Sequence, residues 1–106
     1  MNHGLPTTPR VNSSMLGNYV LQPVRFVGKI VEQNGTHASM QACDHGQVRI
    51  NMSPGSQYTS QYVEVIGEVQ QDGSINELSA CSFGDSFDME TYNQLVIKMQ
   101  QFSTVF

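Results

Sequence analysis

The chain has 106 residues and a formal net charge of −4, with five Lys and Arg against nine Asp and Glu. That length suits one domain with a single core, and the acidic balance weighs against a protein that grips nucleic acid alone, because phosphate binding rests on clustered cations. No apolar run approaches the roughly 20 residues of a membrane span, and the polar start Met1-Asn2-His3-Gly4 has no signal-peptide core, so the expected location is the cytosolic–nuclear space.

Residues 1–9 carry Gly, Pro and Thr with no apolar period and read as a flexible tail ahead of a single domain over 10–106. Asn12 and Ser13 are residue types that cap a short helical turn through Tyr19, with Met15, Leu16 and Tyr19 on one face. Such a turn suits the plugging of one end of a core. From Pro23 the period becomes two: Val24, Phe26 and Ile30 alternate with Arg25 and Lys29, and Gly28 marks a bend or bulge. Asn34-Gly35 signals a type I′ turn. Ala38, Met40 and Ala42 then alternate with His37, Ser39, Gln41 and Cys43. After the turn Asp44-His45-Gly46, Val48, Ile50 and Met52 alternate with Gln47, Arg49 and Asn51.

Residues 53–60 are a loop by composition. The fourth strand, Tyr62 to Val69, sets Val63, Val65 and Val69 on one side; Asp72-Gly73 turns it into a fifth, roughly Ile75 to Phe83. Five short strands with brief connections, one bent at a glycine, predict an all-β domain built as a small closed or partly open barrel.

Residues 88–102 read as an amphipathic helix. Tyr92, Leu95, Met99, Phe102 and Phe106 fall at alternating steps of three and four, with Met89 and Val96 beside them. Asp88 is a suitable N-cap, with Glu90 and Lys98 placed as the helix dipole favours. A lone helix of this length is marginal in water, so the stripe needs a burial partner: the chain's own barrel or another chain. Full burial of each such side chain stabilises by about 1.5–3 kcal/mol before ordering costs.

The chain resembles the family of the small subunit of replication protein A, the eukaryotic heterotrimer that binds single-stranded DNA. The likeness lies in Arg10-Val11-Asn12 with Met15-Leu16, in Pro23 to Lys29, in Val63 to Val69, and in Phe87-Asp88 with Tyr92-Asn93 and Val96. It implies a five-stranded OB-fold with a short N-terminal helix and a C-terminal amphipathic helix. It further implies that the helix joins one helix from each of two larger subunits in a three-helix bundle. The partner-binding residues are then Met89, Tyr92, Leu95, Val96, Met99 and Phe102. The implied role is assembly of the trimer in DNA replication, repair and recombination in the nucleus. The small subunit of the telomere-capping trimer shares this fold and mode of assembly, and a free-standing OB domain for a small ligand is a third alternative. Residues 34–58 match the family poorly.

An OB barrel holds single strands across the outer face of its second and third strands, using stacked aromatics and a basic groove. Here that face is His37, Ser39, Gln41, Cys43, Gln47, Arg49 and Asn51, with no Phe, Tyr or Trp among them. Arg25, Lys29 and Arg49 are the candidate phosphate contacts. Two such contacts give a salt slope of only about −1.5 at ~0.7 per phosphate on single strands, so weak, sequence-indifferent DNA binding within the trimer is expected. Tyr58 offers a ring, but a loop tyrosine needs no such role. Cys43-Asp44-His45 with His37 matches no zinc spacing and Cys81 lies far off, so neither a metal nor a Cys43–Cys81 disulfide is expected. There is no Gly-rich phosphate loop, nucleophile elbow or His-Glu-Xaa-Xaa-His run, so no enzymatic role or cofactor is expected.

Overall fold

A computed structural model describes residues 8–103, without the side chains of Phe102 and Ser103. The tail expected over residues 1–9 falls mostly outside that range, as does Phe106. In chain order the elements are β1 (Arg10–Val11), a 3-10 turn (Ser13–Asn18), β2 (Pro23–Gln33), β3 (His37–Ala42), β4 (Gln47–Asn51), β5 (Tyr62–Val69), β6 (Ile75–Ser82) and α1 (Met89–Ser103). The strands lie in the order β1-β2-β3-β4-β6-β5, and β5 returns to pair with β2. Five strands therefore close into a barrel, and with the terminal helix this is the OB-fold.

Closure depends on one long strand serving two neighbours. The first half of β2 pairs with β5 and the second half with β3, and Gly28 sits at the handover, opposite both Val63 and Ala42. A Cβ at Gly28 would lie 2.8 Å from Met40 Cβ, so only glycine lets the strands approach there. The bulge itself comes later, between Ile30 and Glu32. The β2–β3 turn also differs from the type I′ expectation. Gly35 has a φ of +91° but Asn34 is not left-handed. The Asn34 amide donates to the His37 carbonyl, and Asn34 Oδ1 accepts from the His37 amide. The positive φ thus sits one residue later, as in a type II′ turn.

Alternation works as expected inside the barrel, where Val24, Phe26, Met40, Ile50, Val63, Val65, Val69 and Ile75 are fully or almost fully buried, with Leu16 plugging one end. A second cluster lies outside it. Val27, Cys43, Tyr92 and Val96 are buried together, with Met15, Phe83, Phe87 and Met89 packed around them. This cluster fixes α1 to the outer surface of β2 and the β3–β4 turn. β1, absent from the sequence-based expectation, pairs in parallel with β2, Arg10 opposite Arg25 and Val11 opposite Phe26.

Caps follow sequence logic at one helix and not at the other. The Thr91 amide and hydroxyl donate to Asp88 at 3.0 and 2.7 Å, the arrangement expected of an N-cap. At the 3-10 turn neither Asn12 nor Ser13 caps with its side chain. Asp44, in the β3–β4 turn, does so, accepting from the Ser13 amide and hydroxyl and from the Ser14 amide. Asp85, just ahead of the helix, accepts the Gln61 amide at 2.8 Å.

Candidate functional site

The helix stripe that the sequence presents as one surface is divided by the fold. Val96 is fully buried and Tyr92 is 9% exposed, both against the barrel. Leu95 and Met99, one turn apart, are 48% and 38% exposed, and Ile97 is 40% exposed on another side. Met89 packs at the edge of the inner cluster. Of the six residues expected to meet partners, Tyr92 and Val96 face the chain's own strands, while Leu95 and Met99 face outward. The Phe102 side chain lies outside the described residues.

Polar contacts lock the inner face in register. Asn12 Nδ2 donates to Asn93 Oδ1 at 2.8 Å, and the Cys43 thiol donates to the same oxygen at 3.4 Å. Tyr19 Oη lies 2.8 Å from Gln100 Nε2 two turns later. Burial pushes the Cys43 thiol up to about 11, with the Asp44 charge adding to it, so this cysteine behaves as a small apolar residue. Burial likewise pushes the Tyr92 hydroxyl up to about 12 although Arg10 pulls the other way; no hydrogen bond of good geometry closes on that oxygen. Rings finish the anchor: Phe87 stands 5.5 Å from Tyr92, 5.2 Å from Phe83 and 5.9 Å from Tyr62.

The outer stripe ends in two hollows. One, about 410 Å³, is lined by Phe87, Tyr92 and Leu95 with the start of α1. The other, about 400 Å³, is lined by Arg10, Tyr19, Arg25, Met99 and Gln100. Leu95 borders the first and Met99 the second, so an elongated partner following the stripe would pass from an apolar notch to a pair of arginines.

The three candidate phosphate contacts do not share one place. Lys29 stands opposite Gln41 on β3, and Arg49 opposite Ser39, so these two belong to the outer face of the β2–β3–β4 sheet. Arg25 lies beyond the helix-covered Val27 and pairs with the buried Glu64 at 3.4 Å. Acidic neighbours temper Arg49: it lines a shallow hollow with Glu32, and its charge helps to hold the Asp72 carboxyl low, after the hydrogen bonds from Ser74. Cys43, expected to face outward on this sheet, is covered by α1. The outer face of β3 and β4 has no Phe, Tyr or Trp, since Tyr58 is buried, with its hydroxyl donating to Glu77 Oε1 at 2.6 Å. Burial and the Glu77 carboxylate raise that hydroxyl far above its usual range. Tyr58 therefore plugs the barrel rather than standing in an exposed loop.

The profile of the replication factor A protein 3 family matches residues 1–106. The chain belongs to that family. It is 34% identical over 85 residues to a 14 kDa replication protein A subunit of Arabidopsis thaliana, covering 80% of this chain and 79% of that one. A chain in the structure of U. maydis replication protein A bound to ssDNA superposes with a TM-score of 0.88 at 37% identity, covering 93% of this chain and 94% of that one. A chain of the S. pombe Stn1-ten1 complex superposes at 0.73 with 16% identity over 92% and 96%, a likeness of fold alone. Within the replication factor A protein 3 family, the second cluster and the divided helix stripe are the features of this chain from which a role can be built.

Proposed function

We propose that this chain is the small, assembly subunit of a heterotrimeric single-stranded-DNA-binding complex that acts in DNA replication, repair and recombination in the nucleus. The observation that carries the reading is the outer stripe of α1. Leu95 and Met99 remain half-exposed on a helix whose other side is already fixed. A surface helix that only served its own barrel would turn its apolar side chains inward. Helices of the two larger subunits would bury this stripe, and the notch beside Phe87 offers one of them a socket. DNA contact is auxiliary, through Lys29 and Arg49 on a face with no Phe, Tyr or Trp for bases to stack on. A place in a telomere-capping trimer has only the fold likeness at 16% identity behind it, against 34% and 37% on the replication side.

The test is co-expression of a Leu95→Asp, Met99→Asp double variant with both larger subunits. A folded chain that no longer co-purifies is the expected result. Recovery of an intact trimer at wild-type yield would sink the reading.

A further inference from the structure

β1 is a strand of two residues, and its placement has an electrostatic consequence. Its parallel register sets Arg10 directly opposite Arg25. The next pair, Val11 and Phe26, is fully buried, so by alternation both guanidinium stems leave the outer surface of the sheet together. Like charges directly opposite each other on a sheet are destabilising. This chain nevertheless places two of its five cations there. Glu64 answers one of them, through a 3.4 Å contact to Arg25 Nη1. That is the one ion pair among the described residues, and no described carboxylate lies within 4 Å of Arg10. Two guanidiniums against one carboxylate leave the groove short of a negative charge.

The groove's other walls say where the missing charge comes from. Tyr19, Gln100 and Met99, the last an end of the exposed helix stripe, line it with the two arginines. The cationic pair is thus continuous with the apolar surface assigned above to partner helices. We propose that the groove between β1, β2 and the last turns of α1 receives an aspartate or glutamate side chain from the partner helix that packs on Leu95 and Met99. This inference rests on the assembly reading and adds to it a direction. The partner's apolar residues meet the Phe87–Leu95 notch, and its carboxylate meets Arg10 at the opposite end, so a helix laid down in reverse is rejected. Arg10 is suited to the task because its planar fork binds a carboxylate through two parallel N–H donors.

The experiment uses the complex reconstituted from this chain and the two larger subunits, with affinity measured at about 0.1 and 0.5 M NaCl. Arg10→Met keeps most of the stem and removes the charge, whereas Arg10→Lys keeps the charge and removes the fork. The expected result is assembly weakened about tenfold or more by R10M at the lower salt, a smaller difference at the higher salt, and an intermediate value for R10K. Replacing the facing partner carboxylate with Lys should be rescued by Arg10→Glu. Equal affinity of R10M and wild type at both salts overturns the inference, as does a loss that is independent of salt and equal in R10M and R10K. Normal assembly with weakened binding of single-stranded DNA also overturns it, because the cation then faces phosphate. If L95D/M99D abolishes assembly and R10M does not, only the carboxylate is wrong. If L95D/M99D still assembles, the reading beneath it fails.

Discussion

The barrel has two outer faces, and the chain furnishes them in opposite ways. Over β2 and the β3–β4 turn, Phe83, Phe87, Tyr92 and Val96 glue a helix down. Over the rest of β3 and β4 the surface is His37, Ser39, Gln41, Gln47, Arg49 and Asn51, polar and without Phe, Tyr or Trp. An OB-fold that clamps single strands puts its rings where bases stack. Here they fix an element that then presents an apolar stripe of its own. In the proposed role, recognition moves from the sheet to the helix, and from bases to protein.

The largest effect should come from confusing the two sides of α1. Val96→Asp would place a charge at a fully buried position packed among Val27, Cys43 and Tyr92. Losses above about 4 kcal/mol follow from that kind of change, a large share of a small domain's stability. Leu95→Asp, one residue away, should stay within about 0.5 kcal/mol of wild type, as exposed substitutions do. Urea unfolding of the two variants decides the matter. Similar losses in both would mean that the helix has no inner and outer side.

A subtler break targets the polar register. Asn93 accepts from both Asn12 and Cys43, and its removal strands a buried amide on Asn12. Asn93→Ala should cost about 1–3 kcal/mol, the penalty for one unsatisfied buried group. Reaction of the native chain with a thiol reagent offers an independent reading. Cys81 is exposed and should react promptly; Cys43, buried and with its pKa raised, should react only as α1 lifts. In N93A the slow phase should quicken, and an unchanged rate would detach the asparagine from the docking of the helix.

Much of this was legible in the residues. Period-two alternation placed four of the barrel strands, the Asp72-Gly73 turn implied the fifth, and Asp88 marked the start of the helix. What stayed hidden depended on who covers whom. Phe26-Val27 and Ala42-Cys43 each put two small or apolar residues in a row, breaking alternation where a second layer covers the outer face. That signal was present, but a sheet expected to face water gave no reason to weigh it. The helix period defines a stripe and cannot say which edge goes to which neighbour, so Tyr92 and Leu95 looked equivalent. The trans cap from Asp44, the seat of Tyr58 on Glu77 and the Arg10–Arg25 pair join residues far apart in sequence. No local pattern encodes them.

The polar sheet face gives a smaller effect. If Lys29 and Arg49 each meet one phosphate when the assembled trimer holds single-stranded DNA, then Lys29→Gln and Arg49→Gln should each flatten the salt dependence of binding by about 0.7. The effect on affinity should be uniform across sequences, since phosphate contacts carry no base information. Sequence-selective losses would show that this face reads bases after all.

The smallest effect tests whether the link between the 3-10 turn and the β3–β4 turn is electrostatic. Burial works against the Asp44 carboxylate, yet hydrogen bonds from the Ser13 hydroxyl and the Ser13 and Ser14 amides hold its pKa below the ordinary value. A carboxyl whose folded pKa is depressed binds more protons unfolded than folded in the window between the two values. Its contribution is therefore present above the unfolded pKa, near 3.9, and is lost as pH falls below it. Asp44→Asn keeps one acceptor oxygen and cannot ionise. Near neutral pH it should cost less than about 1 kcal/mol, as a weakened cap does. Urea midpoints taken from about pH 6 down to about pH 3 should fall less steeply in D44N than in wild type. Two parallel curves would mean that the turn is held by shape, with the charge on Asp44 incidental. Convergence at the acid end would show that this charge holds the turn to the barrel, and so helps to seat Asn12 against Asn93.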